Sequence, residues 1–191
     1  MMARIGLQLY TVRSNMAEDF EGTLRQVAAL GYEGVEFAGY YNQEASVVRK
    51  LLDELNLKAF GSHVGLDRLK SDLQGEIDYL KAIGGTYMTC PALPQEAYSS
   101  EQAWKETFAL LQSIGEAVSK QGLVFGYHNH AFEFASQVDG LYAFDAMYSA
   151  TTPEAVQMEL DVCWVQFAGQ DPLAYIRNYA GRLPLLHLKD F

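Results

Sequence analysis

Cysteine is nearly absent from this sequence, with two in 191 residues, Cys90 and Cys163. They stand far apart in apolar surroundings, so a disulfide framework is not expected and a reducing, cytoplasmic setting is. Basic residues are scarce as well: 14 Lys and Arg against 24 Asp and Glu give a net charge of −10. Contact with a phosphate backbone needs a basic surface, so nucleic acid is excluded as the main partner. The sequence lacks any run of about 18 apolar residues, which leaves no membrane-spanning helix and no membrane partner. It also lacks the basic, apolar, small-residue order of a signal peptide at its start. Neither GxGxxG nor GxxxxGK[ST] follows the first apolar run, so dinucleotide and P-loop phosphate binding find no support. No linker or low-complexity segment divides the chain, and residues 1–191 read as a single domain.

What is there is a steady alternation of short apolar runs and amphipathic stretches. Strand-like runs fall at 4–10, 34–37, 58–64, 86–90, 123–128, 156–162 and 183–191. Between them lie helical patterns, among them "EDFEGTLRQVAALG", "EASVVRKLLDELN", a helix over 67–83, a long one over 101–120, one near 139–149, and "DPLAYIRNYA" with Pro172 in its first turn. Such alternation predicts an α/β protein with a parallel sheet and helices outside. Polar residues gather where these strands end, and a (β/α)8 TIM barrel carries its active site at that face. The strand count stops one βα unit short of eight, so the barrel is read as truncated after strand seven.

The stretch "VFGYHNHAFEF" ends a buried strand in His128, Asn129, His130 and, three residues on, Glu133. Asp161 ends "MELD" and His187 ends "LPLLH" in the same manner. A carboxylate at the end of an apolar strand is costly to bury unless paired or bound to a cation. Adjacent strand ends lie roughly 5 Å apart, so Asp161, His187 and either His128 or Glu133 could share one ion. Imidazole with carboxylate suits Mn²⁺, Zn²⁺, Co²⁺ or Fe²⁺. Plainer readings stand beside each. Asp161 could cap a turn, His187 and His63 could be satisfied by ordinary hydrogen bonds, and Glu36 could pair with an arginine. Convergence on one end of several strands favours the functional reading.

The segments "IGLQLYTVR", "GYEGVEFAGYY", "GSHVGLD", "YHNHAFEF" and "MELDVCWVQFAGQDPLAYIRNYAGRLPLLHLKDF" together resemble the sugar phosphate isomerase/epimerase group of xylose isomerase-like TIM barrels, the AP endonuclease family 2 type. The resemblance implies a (β/α)8 barrel with one divalent ion, held by residues of strands five to eight, acting on a small carbohydrate. It matches Asp161 and His187 to metal ligands, and His128 to a strand-five position that usually holds Glu. No strand-eight ligand has a counterpart here. On this reading His128, Asp161 and His187 bind the metal, and His130 and Glu133 transfer protons or hold hydroxyls. Gln8 and Tyr10 line the pocket floor, and Glu36 and His63 contact substrate. Lys189 joins these substrate-binding candidates, although it is read as turned toward the other side of its strand. The expected reaction is isomerisation or epimerisation by proton abstraction beside a carbonyl. A dehydratase or lyase acting on a keto-inositol or 3-keto sugar, and a non-catalytic carbohydrate-binding remnant, are the alternatives. An open barrel edge also implies a homo-oligomer.

Overall fold

The computed structural model describes residues 3–190. Its sheet has seven parallel strands in the order β1-β2-β3-β4-β5-β8-β9. They are β1 (Gly6–Gln8), β2 (Gly34–Ala38), β3 (Lys58–His63), β4 (Tyr87–Cys90), β5 (Val124–His128), β8 (Gln157–Asp161) and β9 (Leu185–His187). Strands follow one another in chain order because each is joined to the next through a helix packed outside, as the alternation implied. The helices are α1 (Arg13–Glu18), α2 (Phe20–Ala29), α3 (Ala45–Leu55), α4 (Leu66–Ser71), α5 (Leu73–Ala82), α6 (Glu101–Lys120), α7 (Ala143–Ala150), α8 (Val162–Phe167) and α9 (Pro172–Asn178).

Local chemistry sets the helix starts. The carboxylates of Asp19, Asp72, Asp161 and Asp171 and the hydroxyl of Ser100 each accept a backbone N–H in the first turn of the helix that follows. Asp72 also divides the helix expected over 67–83, because its capping conformation is not helical. The turn expected to be helical near 139 is instead a hairpin: Asp139 and Gly140, both at positive φ, join β6 (Gln137–Val138) to β7 (Leu141–Tyr142). Apart from β2, which gains Ala38, the strands are shorter than their apolar runs. After Gln8 the chain turns at once into a 3₁₀ turn, Leu9–Val12.

Alternation along β2 sends Val35 and Phe37 outward into the helix layer, where both are fully buried. Glu36, of opposite parity, faces the barrel interior. The β2–β3 register shifts at Val35/Glu36, so Val35 pairs with Ala59 but Glu36 with Gly61. The extra residue, Phe60, breaks the alternation of β3. Phe60 and His63 stand an odd number of positions apart, yet both line the same interior cavity. The Phe60 ring fills the space that side chains at Gly6 and Gly34 would need.

On α6, Trp104, Phe108, Leu111, Ile114 and Val118 form the buried stripe against the sheet. Gly115 lies on the same side, where the helix meets the segment before β8. A Cβ there would fall on the carbonyl oxygen of Ala155. Ala has the better helix propensity by about 1 kcal/mol, but overpacking against fixed backbone costs about 1–3 kcal/mol and wins. Gly115→Ala is therefore expected to lower the urea midpoint, and a raised midpoint would show that the segment yields freely.

Candidate active site

All four histidines of the chain come together at the C-terminal ends of the strands. His63 lies 5.3 Å from His128 and 5.6 Å from His187 between ring centroids, and His128 lies 5.0 Å from His130. Three buried carboxylates stand among them: Glu36 on β2 and Glu159 and Asp161 on β8. Residues two apart on a strand share a face, so Glu159 and Asp161 both enter the barrel. The register places Glu159 beside His128 and Asp161 beside His187.

Two groups of donor atoms result. In the inner group, His63 Nε2 is 3.0 Å from Glu159 Oε2 and 3.4 Å from Glu36 Oε2. His187 Nε2 is 2.8 Å from Glu36 Oε2 and 2.5 Å from Glu159 Oε1. Gln8 donates to Glu36 Oε2 at 2.8 Å. In the outer group, His128 Nε2 is 3.2 Å from Asp161 Oδ2, and the second nitrogen of His187, Nδ1, is 4.0 Å from that same oxygen. Lys189 Nζ reaches Asp161 Oδ2 at 3.1 Å and sits 4.6 Å over the Trp164 ring. Asn129, fully buried, donates to the Asp161 carbonyl and accepts the Asp161 N–H, which fixes the ends of β5 and β8 together.

The electrostatics follow from burial and pairing. Burial pushes Glu36 up, and the charge of Glu159 adds to it. Burial opposes ionisation of Glu159 too, but hydrogen bonds and charge from His187 and His63 hold it well below its usual range. Burial disfavours a charged His187, yet its two carboxylate neighbours raise it to about 10. Burial lowers His128 in spite of Asp161. Burial, with His128 and Lys189 nearby, lowers His130 to about 4, so its imidazole is neutral at pH 7.

These residues fit a divalent cation. The Pro91 carbonyl, 3.2 Å from His128 Nδ1, can only accept, so that nitrogen carries the proton. The lone pair of Nε2 in neutral His128 then faces a carboxylate oxygen of Asp161. Lys189 Nζ, 3.1 Å from that oxygen, supplies the positive charge there, and a divalent ion would take its place with both acceptors as ligands.

The structure brings His63, Glu36, Gln8, His128, His130, Asp161, His187, Lys189 and Tyr10 to one cavity. It corrects three expectations. Glu133 does not line that cavity. The 3₁₀ turn Phe132–Phe134 carries it behind β5, where its carboxylate accepts Tyr127 Oη at 2.6 Å and the His130 N–H at 2.9 Å. Lys189, two residues beyond His187, turns to the same side, not the opposite one. Tyr10 is 58% exposed and stands at the rim instead of the floor. Asp161 caps α8 through the Trp164 N–H as well as facing the cavity. Glu159 and Trp164 stand outside the sequence-based candidates, and Asn129, named with His128 and His130, serves to join the ends of β5 and β8. The signal for Glu159 was its place two residues before Asp161 in "MELD".

The fold and site together define a TIM barrel scaffold with its polar centre at the C-terminal strand ends. The chain belongs to the Xylose isomerase-like TIM barrel family, whose profile it matches over residues 24–191. Inosose dehydratase of Clostridium beijerinckii is 24% identical over 191 aligned residues, covering 90% of this chain and 63% of that protein. The chain thus spans 63% of the length of this relative. A sugar phosphate isomerase/epimerase from Parabacteroides distasonis superposes with a TM-score of 0.85 at 27% identity, over 98% of this chain and 75% of that one. L-Ribulose 3-epimerase shares the fold, with a TM-score of 0.69 at 17% identity over 97% of this chain and 70% of that one.

Proposed function

We propose that this chain acts on a small, polyhydroxylated carbonyl compound by moving a proton at the carbon beside the carbonyl, as a metal-dependent isomerase or epimerase. The observation that carries the reading is the convergence of all four histidines with Glu36, Glu159 and Asp161 on one cavity. His128, Asp161 and His187 would hold a divalent ion (Mn²⁺, Zn²⁺, Co²⁺ or Fe²⁺). Such an ion supplies a positive charge for a carbonyl and a neighbouring hydroxyl oxygen.

His130 is the base in this scheme. Its imidazole is neutral at pH 7 and lines the cavity, so it can accept the proton without first losing one. Glu133 acts through His130, by fastening the backbone N–H that sets the ring over the cavity. Gln8, Glu36, His63 and Lys189 hold substrate hydroxyls or the groups that contact them. Dehydration of a keto-inositol is the second reading, favoured by the inosose dehydratase likeness. It shares the first proton transfer and then expels the β-hydroxyl as water.

The test is deuterium uptake from D₂O beside the carbonyl of free ketoses, 3-keto sugars and inososes, with Mn²⁺, Zn²⁺ or Co²⁺ supplied. Exchange is expected with at least one class, and His130→Gln should slow it about 100-fold or more. A stereoisomeric product supports the first reading and loss of water the second. No exchange with any substrate and any of these ions sinks both.

A homo-oligomer belongs to the same reading. Among the described residues β1 pairs only with β2 and β9 only with β8, and Ile5 and Leu188 beside these edges are 65% and 76% exposed. Open strand edges attract further chains. Sedimentation of the 191-residue chain should show self-association that Leu188→Lys weakens; a compact monomer at micromolar concentration would contradict it.

A further inference from the structure

We propose that Glu36, His63, Glu159 and the Nε2 atom of His187 form a divalent-cation site of their own, deeper in the barrel than His128 and Asp161. This goes beyond the reading above, which places an ion on His128, Asp161 and His187. Glu159 precedes Asp161 by one full pleat of β8, so the inner group lies a step further down the barrel.

The four donors come from β2, β3, β8 and the end of β9, and their ligand atoms all lie within 4.8 Å of one another. Four donors about one ion, with bonds of about 2.1 Å, sit roughly 3.4 Å apart. The nitrogen–oxygen separations here are 3.0, 3.4, 2.8 and 2.5 Å, so a small outward shift completes the cage.

A second observation points the same way. Glu159 is 1% exposed, yet its Oε1 makes no hydrogen bond among the described residues. Its close partner is His187 Nε2 at 2.5 Å, an ion pair out of hydrogen-bond alignment, and a cation held by both atoms would replace that pair. Two imidazole nitrogens and two carboxylate oxygens suit Zn²⁺, Mn²⁺, Co²⁺ or Fe²⁺ and not Ca²⁺ or Mg²⁺. Gln8 holds Glu36 Oε2 from behind, the supporting contact that orients a ligating carboxylate. His187 serves both groups with different atoms: Nε2 faces the inner one and Nδ1 faces Asp161. An ion on Nε2 leaves Nδ1–H to Asp161, so the inner site does not require the outer one to be filled.

The experiment strips the 191-residue chain with a chelator, then measures Co²⁺ and Mn²⁺ affinity and stoichiometry by equilibrium dialysis, together with the Co²⁺ absorption spectrum. Glu159→Gln and His63→Gln are compared with Asp161→Asn, and circular dichroism checks each fold. Both inner variants should weaken binding by roughly 10- to 100-fold and alter the Co²⁺ spectrum, while Asp161→Asn keeps one ion. Loss of one ion by the inner variants and of another by Asp161→Asn also supports the inner site and keeps the outer one. Wild-type binding by the folded inner variants, with loss in Asp161→Asn, overturns the inference and leaves the outer assignment standing. No binding by the wild type at millimolar metal overturns both. Should Glu159→Gln fail to fold, His63→Gln decides alone.

Discussion

Kept free of metal by a chelator, the chain should lose on the order of 4 kcal/mol of unfolding free energy between about pH 6.5 and pH 10. The source is His187. Its imidazole titrates near the ordinary 6.5 in the unfolded chain but is raised to about 10 in the fold, where burial is outweighed by Glu159 and Glu36. A raised base binds more protons folded than unfolded throughout that window. Its contribution is complete below pH 6.5 and is lost as pH climbs through the folded value. Glu133 acts at lower pH. Burial raises its carboxyl from 4.5 to about 7 against the Tyr127 and His130 hydrogen bonds, so the neutral form is favoured and stability falls across that interval too. Glu159 runs the other way: held below its usual range, it adds stability above about pH 4.5 that is lost in acid. Urea titrations at half-unit pH steps measure the curve, and His187→Asn should flatten its upper limb. A wild-type curve level from pH 6.5 to 10 would show that the pair with Glu159 and Glu36 is not formed. Saturating Mn²⁺ should also shrink the slope, since a ligating imidazole has already given up its proton.

The strand–helix alternation, the parallel sheet and its helix layer were legible because apolar periodicity is a local signal. So were Asp161, His187 and His128, since each ends an apolar run abruptly. Other parts rest on information that periodicity does not carry. The bulge that turns both Phe60 and His63 inward is decided by pairing between β2 and β3, not by either run alone. Glu133 lies three residues past the end of β5, and a 3₁₀ turn carries it behind the strand. Lys189 and Glu159 are different, because strict two-residue alternation already assigns Lys189 to the side of His187 and Glu159 to the side of Asp161. Asp139–Gly140 likewise carries a hairpin signature that a helical reading of 139–149 passes over.

Arg182 is a residue whose loss should cost the fold heavily. It is 9% exposed and lies just ahead of β9, in a 3₁₀ turn at Ala180–Arg182. Its guanidinium donates to the carbonyls of Val156 at 2.7 Å, Tyr148 at 2.6 Å and Thr152 at 3.0 Å, and to the Thr151 hydroxyl at 2.7 Å. Its carbon also lies 4.9 Å over the Tyr148 ring. These acceptors are the end of α7, the turn after it and the residue just before β8. A helix end leaves its last carbonyls without partners, and one planar fork satisfies them here while its charge suits the helix C-terminus. Arg182→Met fills similar space but takes the donor from the Val156 and Tyr148 carbonyls and the Thr151 hydroxyl, while the exposed Thr152 carbonyl keeps the Ala155 and Val156 N–H groups. At about 1 kcal/mol or more for each, an overall loss of roughly 3–5 kcal/mol is expected. Arg182→Lys keeps the charge but cannot reach all four acceptors at once, so it should recover less than half. Urea midpoints of the two variants check the order, and a loss below about 1 kcal/mol for Arg182→Met would mean that water replaces the guanidinium. The same contacts tie the chain leading into β9 to β8, so Arg182→Met should also weaken metal binding in the fraction that stays folded, through misplacement of His187 beside Asp161 and Glu159.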